Sequence, residues 1–277
     1  MYKDLLVHVK PHEEWSAHID LAMALGARFQ ARVTGLLPHE NLAIAKLLAE
    51  GPGGGGALIK DLQAAADACA ASLQDRFAER LKAHGADGEL QVAEGRAHEV
   101  LGLAGRFHDL VVVEQTNLSQ DDINWSTAEE AAVNSGRPTL IAPRHAPSDG
   151  AFARVLLAWN GSREATRAMH AARPIWEKAD EVVLVSGPSR EIAPSITRQP
   201  PGDIETYLRR RAASVTVVDD RVRDPEAAAR ILAVAAEAKC SLIVMGAFGR
   251  KGLSRLILGG ATSRVFRDAP IPILTAH

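Results

Sequence analysis

The sequence predicts two consecutive α/β units, each an open parallel sheet with helices on its faces. Three observations carry that reading. Short apolar runs alternate with longer stretches of helical spacing along the chain, the pattern of parallel strands joined by right-handed helical crossovers. The order of segments then recurs: Leu110–Val113 corresponds to Leu242–Met245, and Pro138–Ala142 to Pro272–Ala276. Between the copies, Pro143–Gly150 is rich in turn formers and poor in apolar residues, so the units are expected at 1–145 and 152–277.

In the first copy, strands are expected near 4–10, 31–37, 89–94, 109–114 and 138–142, with helices near 15–28, 58–84, 97–107 and 126–135. His8 falls inside the first strand and reads as a core histidine rather than a general base. Leu62, Ala66, Cys69, Leu73, Phe77 and Leu81 recur at helical spacing, and core packing explains them without a cofactor. Gly51–Gly56 lacks the Lys-Ser or Lys-Thr of a P-loop, since Ala57 and Leu58 follow, and is read as a loop. In the second copy, strands are expected near 154–159, 181–186, 214–219, 241–245 and 272–276, with helices near 162–178, 203–212, 225–239 and 260–268. Val100, Leu101, Leu103 and Ala104 of one copy match Ile231, Leu232, Val234 and Ala235 of the other.

Composition narrows the function classes. A chain of 277 residues, 47% hydrophobic, can bury two ordinary cores. No apolar run is long enough to span a bilayer and the N-terminus leads straight into a strand pattern, so no membrane partner and a cytoplasmic location are expected. Cys69 and Cys240 read as core thiols. Residues 1–150 hold 13 basic and 21 acidic residues, against 19 and 13 in 151–277, which favours an anionic ligand at the second copy. Nucleic acid is not expected, because the basic residues lack interleaved aromatics. No metalloprotease pairing of histidines with Glu and no Gly-x-Ser-x-Gly elbow occurs, so neither catalytic residues nor metal ligands are assigned.

The segment Met245–Thr262 carries the chemistry. Gly246 and Gly249 follow a buried strand, Gly259 and Gly260 open a helix, and Arg250, Lys251 and Arg255 lie between. Glycine lets oxygens approach bare backbone N–H groups, and a helix N-terminus carries unpaired donors and partial positive charge, which together suit a polyphosphate. Ligands in such sheets sit beyond the carboxyl ends of the strands, where strand order reverses. Asn160 and Gly246 fall at such ends.

Gly246-x-x-Gly249, nine residues and then Gly259 with a small residue resembles the ATP-binding signature of the universal stress protein family. The resemblance implies a Rossmann-like architecture of the adenine nucleotide alpha hydrolase type. It implies ATP or ADP held by the backbone at Met245, Gly246, Gly249, Gly259, Gly260 and Ala261, with Arg250 and Thr262 assisting. Asn160 and Gly161 would border phosphates or ribose, and Val185 the adenine edge. Two departures are visible: Gly260 stands where the family has Ser or Thr, and Asn160 where it has Asp. A neutral amide is a poorer ligand for a hard divalent cation than a carboxylate, so the exchange weakens Mg²⁺ assistance more than nucleotide binding. The first copy has lost the motif, since Glu114–Asp122 places carboxylates where the second has glycines and arginines, and Lys10-Pro11 replaces Asn160-Gly161.

The family's pairing of last strands implies that Thr139–Ala142 and Pro272–Ala276 pair within one chain, a monomeric pseudo-dimer or a homodimer with protein partners unknown. The expected function is nucleotide binding in a stress response without strong catalysis. A nucleotide-free interaction module and an adenine-nucleotide hydrolase are the alternatives.

Overall fold

A computed structural model describes residues 1–11, 15–40, 42, 44, 46, 56–115, 127–187, 202–219, 226–247 and 260–277. The first unit comprises Met1–Glu114, Asp121–Arg137 and Ser148–Gly150, the second Gln115–Gln120, Pro138–Pro147 and Ala151–His277.

The first unit contains β1 (Asp4–His8), α1 (Ala17–Phe29), β2 (Arg32–Pro38), α2 (Gly56–His84), β3 (Asp87–Ala93), α3 (Ala97–Gly105), β4 (Leu110–Glu114) and α4 (Thr127–Asn134). Its strands lie in the order β3-β2-β1-β4, all parallel. Leu5 pairs with Val33 on one side and Leu110 on the other. Such a central strand is covered on both faces and therefore reads as a continuous apolar run. Leu5, Leu6, Val7, Ile19, Leu21, Phe29, Phe77, Leu101 and Val111 are fully buried. Of the apolar positions expected on the long helix, Leu73, Phe77 and Leu81 are buried while Leu62, Ala66 and Cys69 are half-buried.

The second unit contains β5 (Thr139–Ala142), β6 (Arg154–Trp159), α5 (Arg163–Ala171), α6 (Arg173–Trp176), β7 (Glu181–Ser186), α7 (Ile204–Arg209), β8 (Val215–Asp219), α8 (Ala227–Glu237), β9 (Leu242–Gly246), α9 (Gly260–Asp268) and β10 (Ile273–Ala276). Its sheet runs β5-β10-β9-β6-β7-β8. All neighbours are parallel except β5 and β10, which pair antiparallel with Thr139 opposite Thr275. The pairing expected of the two last strands is therefore present.

Two differences from the sequence reading have physical causes. The helix expected over 162–178 is two helices, divided at Ala172, where Pro174 enters the first turn of α6; proline has no N–H to continue the preceding ladder. Trp176 anchors the break, donating from Nε1 to the Met169 carbonyl at 2.8 Å. The strand at 138–142, read as the end of the first copy, sorts with the second unit because its backbone groups pair with β10.

A bare strand edge is a template for pairing with another chain. A fragment beginning at Ala151 would lack β5 and is expected to self-associate along β10 more than one beginning at Pro138, in which β5 covers that edge. Size-exclusion chromatography with light scattering of the two fragments checks this, and equal masses per chain would refute it.

Candidate functional site

In the second unit β6 and β9 are neighbours, with Val155 beside Leu242 and Ala158 beside Met245, although β7 and β8 separate them in sequence. Strand order reverses there, and the carboxyl ends of the two strands flank the crevice. Asn160, Gly161 and Ser162 continue β6. The Asn160 side-chain oxygen accepts from the Ser162 N–H at 3.1 Å, and Ser162 Oγ accepts from the Ala165 N–H at 3.1 Å. This is an Asx turn feeding a side-chain N-cap, and it fixes where α5 begins. Gly161 has φ +73°, a conformation that disfavours any residue with a Cβ. Val185 is buried near the end of β7, beside Ala158.

Met245 and Gly246 end β9, with Gly246 beside Ala276 of β10. A Cβ at Gly246 would lie 2.4 Å from the Ala165 nitrogen, 2.6 Å from the Glu164 carbonyl carbon and 2.8 Å from the Glu164 Cβ. The missing side chain thus admits the first turn of α5, where the sequence reading gave that space to phosphate. The backbone N–H groups of this strand end are unaffected by that distinction. Gly260 and Ala261 open α9, and Thr262 is half-buried in its first turn. Because α9 follows β9, its N-terminus faces the same carboxyl edge of the sheet. Gly249, Arg250 and Gly259, with Lys251 and Arg255, lie outside the described residues.

Two side chains here were not singled out from the sequence. Gln115 donates from Nε2 to the carbonyls of Phe266, Arg267 and Ala269 at 2.7, 3.1 and 3.1 Å, which caps the end of α9. Glu164, the second residue of α5, has a buried Oε2 with no hydrogen-bond partner among the described residues. Neither carries a local signal, since an acidic residue in a first helical turn ordinarily complements the helix dipole.

The first unit has its own reversal, between β1 and β4, and fills it differently. The Lys10 ammonium pairs with the Glu114 carboxylate, whose side chain is only 10% exposed. Burial pushes the Glu114 pKa up, but the hydrogen bond and charge of Lys10 outweigh it and leave the pKa lowered. Ser16 Oγ lies 2.6 Å from His18 Nδ1, and His18 Nε2 lies 2.7 Å from the His8 carbonyl. A carbonyl only accepts, so Nε2 carries the proton and neutral His18 accepts from Ser16 at Nδ1. Burial lowers the pKa of His18 to about 4 and that of His8 to about 3. His8 is therefore a neutral core histidine, as its place in β1 suggested. Where the sequence indicated bare carboxylates, Glu114 is already neutralised from within the unit.

The model of the universal stress protein family matches residues 151–277. Comparison with curated proteins finds no match. Among solved structures, a universal stress protein from Archaeoglobus fulgidus aligns over 99% of this chain and 95% of its own, with TM-score 0.71 and 16% identity. A functionally unknown protein from Pseudomonas aeruginosa aligns over 99% of this chain and 92% of its own, with TM-score 0.57 and 14% identity. At such identities the likeness concerns the fold, and it extends over both units. The segment 151–277, which holds β6 to β10 and the glycine-rich stretch, is thus the part of the chain that is similar in sequence to the universal stress protein family.

Proposed function

We propose that the second unit binds ATP or ADP at the carboxyl ends of β6 and β9, and that the protein acts as a nucleotide-dependent stress regulator rather than as a catalyst. The observation that carries this reading is the strand reversal between β6 and β9, with Asn160, Gly161, Met245 and Gly246 at its rim. The spacing of Gly246, Gly249 and Gly259 and the start of α9 at Gly260 supply backbone donors for phosphate on the same side. Arg250 adds a charge-assisted contact, and Val185 lines the edge where adenine would lie.

The first unit serves a structural or partner-binding role in this reading. Its reversal holds the Lys10–Glu114 pair in place of a glycine-rich motif, so the Lys10 charge is already engaged by a carboxylate. Among the described residues of the second unit's crevice no hydrogen bond joins a nucleophile to a base, and this reading takes binding over turnover.

Mass spectrometry of small molecules released on denaturing the purified protein, followed by calorimetric titration with ATP and ADP, tests the proposal. An adenine nucleotide should bind without steady phosphate release. Arg250→Ala is expected to weaken it about tenfold or more, the loss of a charge-assisted phosphate contact. Sustained phosphate production would favour a hydrolase, and silence with every nucleotide an interaction module.

A further inference from the structure

We propose that the outer face of α3 in the first unit is a self-association surface, on which α3 of a second copy of the chain docks antiparallel. This gives content to the partner-binding role read above for that unit and does not depend on nucleotide at the other. Among the described residues, the large apolar side chains left exposed all belong to the first unit. Phe107 is 83% exposed and Leu103 57%, and Val100 beside them is half-buried. At the corresponding places of α8 in the second unit, Ile231 and Val234 are buried. The repeated helix thus turns its apolar row inward in one copy and outward in the other.

A lone exposed apolar residue is ordinary on a protein surface, whereas a row of them at helical spacing makes the seam of a helix pair. Val100, Leu103 and Phe107 follow one another at three and four residues, which at about 100° per residue sets them within about 60° of each other. The row continues past the end of α3, because Arg106, Phe107 and His108 stay in tight turns, donating to the carbonyls of Leu103, Ala104 and Gly105 at 3.4, 3.1 and 3.0 Å. The opposite side of α3 is already occupied, with Gly102 against Asn134 and Gly105 against Ser135 at the end of α4.

The charges beside the row select the occupant. Glu99 and Arg106, both exposed, flank it on the same side, about two helical turns apart. A two-fold axis that sets two copies of α3 antiparallel brings the same flank of each together with its ends exchanged. Glu99 then meets Arg106 of the second copy and Arg106 meets its Glu99, while Leu103 lies near its own counterpart at the axis. A parallel pair would set each flank against the opposite one, and neither charge would find its complement across the seam. The face is complementary to itself, as an isologous contact requires, and charges at such flanking positions set the orientation of helix pairs. An anionic membrane fits less well, because Glu99 would meet like charge. One short helix face covers less than the roughly 800 Å² per partner of a standard interface, so the dimer is a weak one.

The test is sedimentation equilibrium of the full chain between about 1 μM and about 1 mM. The mass of the wild type should rise toward twice that of one chain. Phe107→Asp, at a side chain the fold leaves in solvent, should weaken the dimer about tenfold or more. Glu99→Arg and Arg106→Glu should each weaken it about tenfold, since each turns both cross-pairs into like charges. The double variant Glu99→Arg with Arg106→Glu restores both pairs and should regain the wild-type affinity, a rescue that a merely apolar contact or a parallel pair would not give. A wild type that stays monomeric over the whole range would overturn the proposal. So would a dimer indifferent to Phe107→Asp, or a double variant no better than its parents. A monomer that sediments with phosphatidylserine vesicles and loses this with Phe107→Asp would assign the face to a membrane instead. Phe107→Asp should bind ATP as the wild type does, so failure of the nucleotide reading appears in a separate titration.

Discussion

Lowering the pH from 7 to 5 is expected to cost the first unit about 3 kcal/mol of stability, before most carboxylates titrate. The cause is the pair His8 and His18, buried at 5% and 3% exposure, with pKa values lowered to about 3 and about 4. In the unfolded chain both would titrate near 6.5. Below that pH the unfolded state binds protons that the folded state refuses, so the histidines' contribution is complete above 6.5 and is lost as pH falls toward the folded values. Each adds a slope of about 1.4 kcal/mol per pH unit within that window. Burial dominates both shifts. Glu114 favours the charged form of both rings and Asp20 that of His18, while Lys10 opposes both. Urea denaturation followed by circular dichroism at pH 7, 6 and 5 measures the loss, and ring chemical shifts report the histidines directly. Stability that stays level across this range, or rings that protonate near pH 6.5 in the folded protein, would refute the account.

Gly246→Ala is expected to destabilise the second unit by about 3 kcal/mol, the upper end for an inserted methyl group. The added carbon would meet the Ala165 nitrogen at 2.4 Å and the Glu164 carbonyl carbon at 2.6 Å. These are backbone atoms in the first turn of α5, so no side-chain rotation relieves the clash and the helix itself must shift. Gly161→Ala makes the comparison: at φ +73° it strains one residue's backbone and is expected to cost about 1 kcal/mol. Denaturant midpoints of the two variants rank the costs, and a Gly246→Ala midpoint equal to wild type would show that α5 does not rest on this glycine. The same geometry governs how ligand tests are read. A bulky residue at Gly246 damages the fold before it touches a ligand, so Arg250→Ala is the cleaner probe of nucleotide.

How much was legible in the sequence depended on whether the signal was local. The central strands follow from apolar runs such as Leu110–Val113 and Leu242–Met245, because a strand covered on both faces has nowhere to place a polar residue. The reversal points followed as well, from the order of the elements. Pro174 gave a local signal for the break at Ala172, but the apolar spacing on either side concealed it. The direction of a missing Cβ has no trace in sequence, and so Gly246 was credited to phosphate when its space serves α5. The Lys10–Glu114 pair joins the ends of two strands over a hundred residues apart, visible only once those strands lie side by side. Gln115 and Glu164 were hidden for a similar reason, since the carbonyls that the first caps and the packing that buries Oε2 of the second belong to the folded arrangement. The membership of β5 escaped because pairing partners, unlike strand identity, are set by tertiary contact.

The place of β5 bears on the order in which the second sheet can be completed. Its partner β10 is the final strand, so their antiparallel ladder joins residues near the middle of the chain to residues near its end. Contacts of such long separation carry a large loop-closure entropy and form late. During synthesis β5 emerges well before β10 and waits for it. Ile273–Ala276 is therefore the keystone: it sits between β5 and β9, and its removal would leave two strands open at once.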